Sequence, residues 1–254
     1  MFILIILIFG FSNTKIFAEE PLPITLSYDM EKVIFDGKWT SGIEWKRTSL
    51  ESIKFDENFV AKLRFGHQEE FVYVMLDVVS DQTLDINSDR AMICFDSDNN
   101  KSLVFDKNDL CFSSNLGDEE PLTFQGNSSE MVMISNPTGL LGVGGISDEV
   151  DIYSKEPHSV FEFRIPTEII GRYEIYGFFI SYYDFNSNRT YTWPNNISLE
   201  ENRLVPSTKM WGEMISPDKS LPEFELPAIL LITSFSSIIL IMKFWKNSIF
   251  TSMK

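Results

Sequence analysis

The sequence predicts an all-β fold, an antiparallel two-sheet sandwich, followed by a C-terminal transmembrane helix. Three observations predict it. Apolar residues alternate with period two in several short runs, helical periodicity is scarce, and two apolar end segments flank a strongly acidic middle.

The strands come first. Phe71–Val79 places Val72, Val74, Leu76 and Val78 on one face. Phe161, Phe163 and Ile165 alternate with Glu162 and Arg164, the pattern of a half-buried strand. Ala91, Ile93 and Phe95 share a face opposite Met92 and Cys94, and Leu110 and Phe112 oppose Cys111 and Ser113. Further strands are expected near Ile34, at 60–65, 131–134, 142–146 and 176–182. Pro166 before Thr-Glu-Ile-Ile and Gly171 after it predict one short helical turn. Gly142, Gly144 and Gly145 lack the Lys and helix of a phosphate loop and read as a turn or bulge.

The ends give location. Residues 1–18 hold an apolar run, then Ala18 before Glu19-Glu20, as in a secretory signal peptide. No Lys or Arg precedes the run, so an uncleaved N-terminal anchor is the alternative. Residues 226–242 carry no charge and are just long enough to cross hydrocarbon. Lys243 and Lys246 follow, so residues 243–254 form a cytoplasmic tail and the main domain is expected outside, on the outer face of the cell membrane.

Composition narrows the partners. Net charge is −16. Four of the 21 basic residues lie in the end segments and all 37 acidic ones between them, leaving the central part near −20. Such a surface repels phosphate backbones, which excludes nucleic acid, and it attracts divalent cations. The two cysteines, Cys94 and Cys111, suit neighbouring antiparallel strands and a disulfide in an oxidising exterior. Sequons at Asn100, Asn127, Asn188 and Asn196 agree with an exported glycoprotein.

Several motifs then appear in order: Asp36-Gly37 with Trp39, Glu44 and Trp45; Asp89 with the Asp96-Ser-Asp98-Asn-Asn100 run, Asp106 and Asp109; Phe161 to Pro166; Tyr191-Thr-Trp193-Pro; and Trp211-Gly212. Together they resemble the family 9 carbohydrate-binding modules and the wider DOMON-like, jelly-roll type sandwiches, over residues 25–216. The resemblance implies a non-catalytic module that stacks sugar between aromatic rings while polar groups bond the hydroxyls. The candidates are Trp193, Tyr182, Tyr183 and Tyr191, with Asp184 and Arg189 as polar partners. Trp39 and Trp211 read as core, and Trp193 reads as either platform or core.

It also implies structural calcium. Asp96, Asp98 and Asn100 space oxygen ligands at alternate positions, and Asp106 and Asp109 could complete a site; a solvated acidic turn is the alternative. Residues 217–225 form a linker in which Pro222-Glu223-Phe224, before the apolar span, resembles the PEF-type C-terminal sorting signal of archaeal surface proteins. That resemblance implies a sorting transpeptidase as a partner.

Little in the pattern supports catalysis, and an accessory role in carbohydrate degradation is the nearest enzymatic association. Two other readings stay open. Some DOMON-like domains hold haem between Met and His or Lys, and ten Met with two His allow it, although no Cys-x-x-Cys-His is present for covalent haem. The third reading is a structural or adhesive envelope protein without a small ligand.

Overall fold

The computed structural model describes residues 19–195, 197 and 203–216. The expected signal peptide, linker with its PEF motif, membrane span 226–242 and tail, and Asn196, lie outside the described residues. Among the described residues no helix is long and apolar enough to cross a membrane.

The strands are β1 (Leu22–Pro23), β2 (Thr25–Leu26), β3 (Ser49–Lys54), β4 (Val60–Gln68), β5 (Phe71–Val78), β6 (Arg90–Asp96) and β7 (Asp109–Asn115). They continue as β8 (Leu122–Asn127), β9 (Glu130–Ile134), β10 (Leu141–Ile146), β11 (Ser159–Pro166), β12 (Ile175–Asp184), β13 (Arg189–Trp193) and β14 (Gly212–Ile215), with helix α1 (Thr167–Ile170) after β11. One sheet runs β1-β14-β12-β6-β7-β8-β9, with β13 also on β12. The other runs β10-β11-β5-β4-β2, with β3 also on β4. Pairing is antiparallel except for the two-residue strands β1 on β14 and β2 on β4.

Period-two alternation puts the expected residues between the sheets. Val72, Val74, Leu76 and Val78 meet Ala91, Ile93, Phe95, Leu110, Phe112, Phe161, Phe163 and Ile165 in one core. Fully burying each such side chain is worth about 1.5–3 kcal/mol, and this sets strand register, since a one-residue slip would turn every one of them outward.

The outer faces are covered as well, which alternation did not predict. Met30, Trp39 and Trp45 cap the outside of the second sheet over Tyr73, Met75 and Val160. Trp211, Val205 and Phe105 cover Met92, Cys94, Cys111 and Phe179 on the first. Trp39 and Trp211 are thus core residues, as expected. Glu162, read as the exposed side of a half-buried strand, is fully buried.

Ile34 is not in a strand. Residues 30–32 form a 3₁₀ turn, and Ile34 N–H donates to the Glu44 carboxylate at 2.9 Å. Glu44 also accepts Thr40 N–H and Ser41 N–H at 2.7 and 3.0 Å. Backbone donors here are satisfied by a side chain, so no sheet partner is required.

The glycines of 142–145 lie in the strand expected there, β10, whose register with β11 runs without a bulge. They are there because backbone approaches from both sides. A Cβ on Gly144 would sit 2.2 Å from Asn115 O, and one on Gly145 would sit 2.6 Å from Gly37 O, in a turn where Gly37 has φ +71°. Gly144→Ala is expected to lower stability by about 1–3 kcal/mol through overpacking. An unchanged denaturation midpoint would show that the Asn115 segment can yield.

Candidate functional site

The β12–β13 hairpin holds all six expected sugar-binding residues, but the pleat divides them. Tyr182 pairs with Tyr191 and Ile180 with Trp193, which turns Tyr182, Tyr191 and Trp193 inward. Tyr182 is 0% exposed; its hydroxyl donates to Asp81 Oδ2 and lies 3.0 Å from Ser159 Oγ. Tyr191 stacks on Phe59 with centroids 3.8 Å apart. Trp193 is 5% exposed and packs against Phe178. These three rings are core and not platforms, which corrects the expectation for Tyr182 and Tyr191 and settles Trp193 on the core alternative; their large apolar area is spent between the sheets.

The polar partners are engaged elsewhere. Asp184 is buried and accepts from Ser187 N–H and Oγ–H at 3.2 and 2.7 Å. Arg189 lies over the Tyr191 ring at 4.6 Å and donates to Asp56 Oδ2 at 2.8 Å.

Tyr183 alone of the four aromatics faces the other way. On the outer face of the first sheet, register aligns Asn115, Arg90, Tyr183 and Thr190 in one row across β7, β6, β12 and β13. The next row is Ser113, Met92, Ser181 and Thr192. The Arg90 guanidinium lies 5.8 Å from the Tyr183 ring centroid, and Tyr183 Oη–H donates to Asn188 Oδ1 at 3.0 Å. The second row is buried: Ser113 Oγ–H donates to Ala91 O at 3.1 Å and Thr192 Oγ1–H to Pro194 O at 2.9 Å. The first row keeps an aromatic face, a cation, an amide and a hydroxyl within reach of solvent, groups that can stack on and hydrogen-bond a polyhydroxylated ligand. Sequence reasoning missed Asn115, Arg90 and Thr190. Alternation within β12 and β13 could have grouped Ser181 with Tyr183 and Thr190 with Thr192, but nothing local pairs β6 with β12.

A cleft of about 420 Å³ lies beside β10. Phe35, Asp36, Asp118, Glu119 and Val143 line it.

In the acidic loop between β6 and β7, where calcium is expected, the side chains accept hydrogen bonds from the loop itself. Asp96 accepts Asn100 N–H and Lys101 N–H at 3.2 and 3.0 Å, and Asp98 accepts from Asn108 Nδ2 at 3.1 Å. Asp106 accepts from Asn100 Nδ2, and Asp109 accepts Asp106 N–H at 2.7 Å. These oxygens close the turn on itself. Burial pushes Asp109 up to about 7 and Asp96 up to about 6, and neighbouring carboxylates add to both. Among the described residues the acidic groups that converge on a metal-sized space lie elsewhere: Asp85, Asp89 and Asp184, and Asp77, Asp151 and His158.

Cys94 and Cys111 form the expected disulfide, directly opposite one another on β6 and β7. Asn100, Asn127 and Asn188 are exposed in loops and hairpin ends.

No family model matches the chain, and no curated protein matches it. Solved structures share its fold. A carbohydrate binding module family 9 from Caldicellulosiruptor kristjanssonii in complex with cellotriose superposes with a TM-score of 0.51 at 13% identity, covering 78% of this chain and 93% of that one. The same organism's module in complex with glucose gives 0.50 at 15% identity, covering 76% and 95%. At such identity the likeness shows the fold: this chain is a two-sheet sandwich of the kind seen in family 9 modules.

Proposed function

We propose that this chain is a non-catalytic carbohydrate-binding protein of the cell surface, and that its ligand lies on the outer face of the first sheet at Tyr183. The observation that carries the reading is the accessible Asn115–Arg90–Tyr183–Thr190 row, in which one aromatic ring, one cation, an amide and a hydroxyl share a surface. Sugar-bound structures of the same fold support it. Export supports it too: an apolar leader, four sequons and a buried disulfide suit the cell exterior, and the span 226–242 would hold the domain beside the membrane. The PEF motif would be the point at which a sorting transpeptidase acts.

Glycan arrays and calorimetry on the purified chain test this. Tyr183→Ala is expected to weaken binding of the best oligosaccharide by about tenfold or more, since it removes the stacking ring. Unchanged binding by Tyr183→Ala with loss in Phe35→Ala would move the site to the cleft beside β10. A Soret band in the absorbance of the chain would favour haem, and silence on all arrays a purely structural role.

A further inference from the structure

Glu162, Arg64, Asp77, His158 and Asp151 are all buried beneath the cap that covers the second sheet. Most of these groups are satisfied by neighbours. Glu162 accepts three N–H donors, and Arg64 donates to Tyr153 Oη and Trp45 O. One group is different.

Asp77 lies on the outer face of β5, His158 just before β11, and Asp151 in the loop between β10 and β11. All three are 0% exposed. His158 Nδ1 is 2.7 Å from the Glu156 carbonyl oxygen and 2.8 Å from Ser147 Oγ. A carbonyl can only accept, so Nδ1 carries the hydrogen and Nε2 presents its lone pair. That lone pair stands 2.7 Å from Asp77 Oδ1 and 3.7 Å from Asp151 Oδ2. Outside this cluster, both Asp77 oxygens, Asp151 Oδ2 and His158 Nε2 have no polar partner. Asp151 Oδ1 is engaged separately, by Tyr153 N–H and Ser154 N–H, which fixes its carboxylate in place.

Electron-rich atoms aimed at one another away from water require a positive centre between them. A proton on Nε2 would leave one carboxylate uncompensated. A divalent cation against two carboxylates and a neutral imidazole gives zero net charge. Ligands at 2.0–2.2 Å around a tetrahedral ion lie roughly 3.3–3.6 Å apart; the 3.7 Å separation is close to that, and the 2.7 Å one would have to open by about 0.6 Å to admit the ion. An imidazole anchored through Nδ1 to a backbone carbonyl is also the arrangement that orients metal-ligating histidines. The nitrogen ligand and the few donors favour a zinc-class ion over calcium or magnesium, which take oxygen ligands in larger number.

We propose that Asp77, Asp151 and His158 form a buried site for a zinc-class divalent ion. It would pin the loop between β10 and β11 to β5, under the cap formed by Trp39 and Trp45, so its role is structural.

The test uses the full chain, purified in detergent, stripped with chelator and reloaded with zinc. About one tightly held zinc per chain is expected, with reloading raising the melting temperature by roughly 5–15 °C and calcium or magnesium failing to replace it. Cobalt substitution should give visible bands of a low-symmetry site. Asp151→Asn keeps the oxygen that accepts Tyr153 N–H and Ser154 N–H, so this variant is expected to fold, lose the zinc response and lose the cobalt bands. Less than one-tenth of an equivalent of zinc, a melting temperature indifferent to chelation, full zinc in Asp151→Asn, or zinc lost on Asp85→Asn instead would each overturn the assignment.

Discussion

Replacing Glu162 by Ala is expected to destabilise the domain by about 3–5 kcal/mol, the largest effect anticipated for a single residue outside the apolar core. Glu162 reaches from β11 into the Asp36–Gly37 turn and the indole above it. Its Oε2 accepts Asp36 N–H and Gly37 N–H at 3.1 and 2.9 Å, and its Oε1 accepts from Trp45 Nε1 at 2.9 Å. Asp36 N–H has a second acceptor in Ile34 O, so truncation orphans two buried donors, Gly37 N–H and Trp45 Nε1–H. Each unsatisfied buried donor costs about 1–3 kcal/mol, and a cavity adds to it. Glu162→Gln preserves shape but turns an N–H against a donor, and should recover only part of the loss. Denaturant midpoints measure both, and a loss below about 1 kcal/mol for the alanine variant would mean that water replaces the carboxylate.

The same carboxyl should make stability depend on pH. Burial pushes Glu162 up to about 8, while Gly37 N–H and Trp45 Nε1–H hold it down. In the unfolded chain it titrates near 4.5, so between those values the folded state binds more protons than the unfolded one. Stability from this group is therefore complete below pH 4.5 and declines as pH rises through 8, by at most about 1.4 kcal/mol per pH unit. Glu162→Gln has no such titration, and its midpoint should fall less than the wild-type midpoint between pH 5 and 8. Parallel profiles would refute this account.

The second large effect belongs to the disulfide. Cys94 and Cys111 are 17 residues apart in sequence and join adjacent strands at the centre of the first sheet. Closing a loop of that length stabilises by about 3 kcal/mol, chiefly by restricting the unfolded chain. The double substitution Cys94→Ala with Cys111→Ala avoids leaving a polar group beneath Trp211 and Phe105. It should lower the melting temperature by roughly 6–12 °C for a domain of this size. A change of less than about 2 °C would mean that packing against Trp211 supplies nearly all of the local stability.

The two-sheet architecture was legible because alternation is a local property. Val72 to Val78 and Phe161 to Ile165 declare their inward faces without reference to any other part of the chain, and the opposed alternation at Cys94 and Cys111 put both thiols on outer faces. The proposed ligand site was not legible in the same way. Tyr182, Tyr183, Tyr191 and Trp193 are close in sequence and chemically alike, yet one pleat sends three of them into the core and leaves Tyr183 outside beside Arg90, a residue more than 90 positions away.

Acidity, apolar ends, strand faces and the pairing of the only two cysteines were determined by the order of residues, because each depends on composition or short-range periodicity. Which residues share a surface was decided by tertiary structure alone. The burial of Glu162 under Trp45, and the meeting of Asp77, Asp151 and His158, come from long-range strand pairing and from a loop folded across a sheet's outer face. Neither leaves a local trace, since a carboxylate's environment is set by distant chain segments.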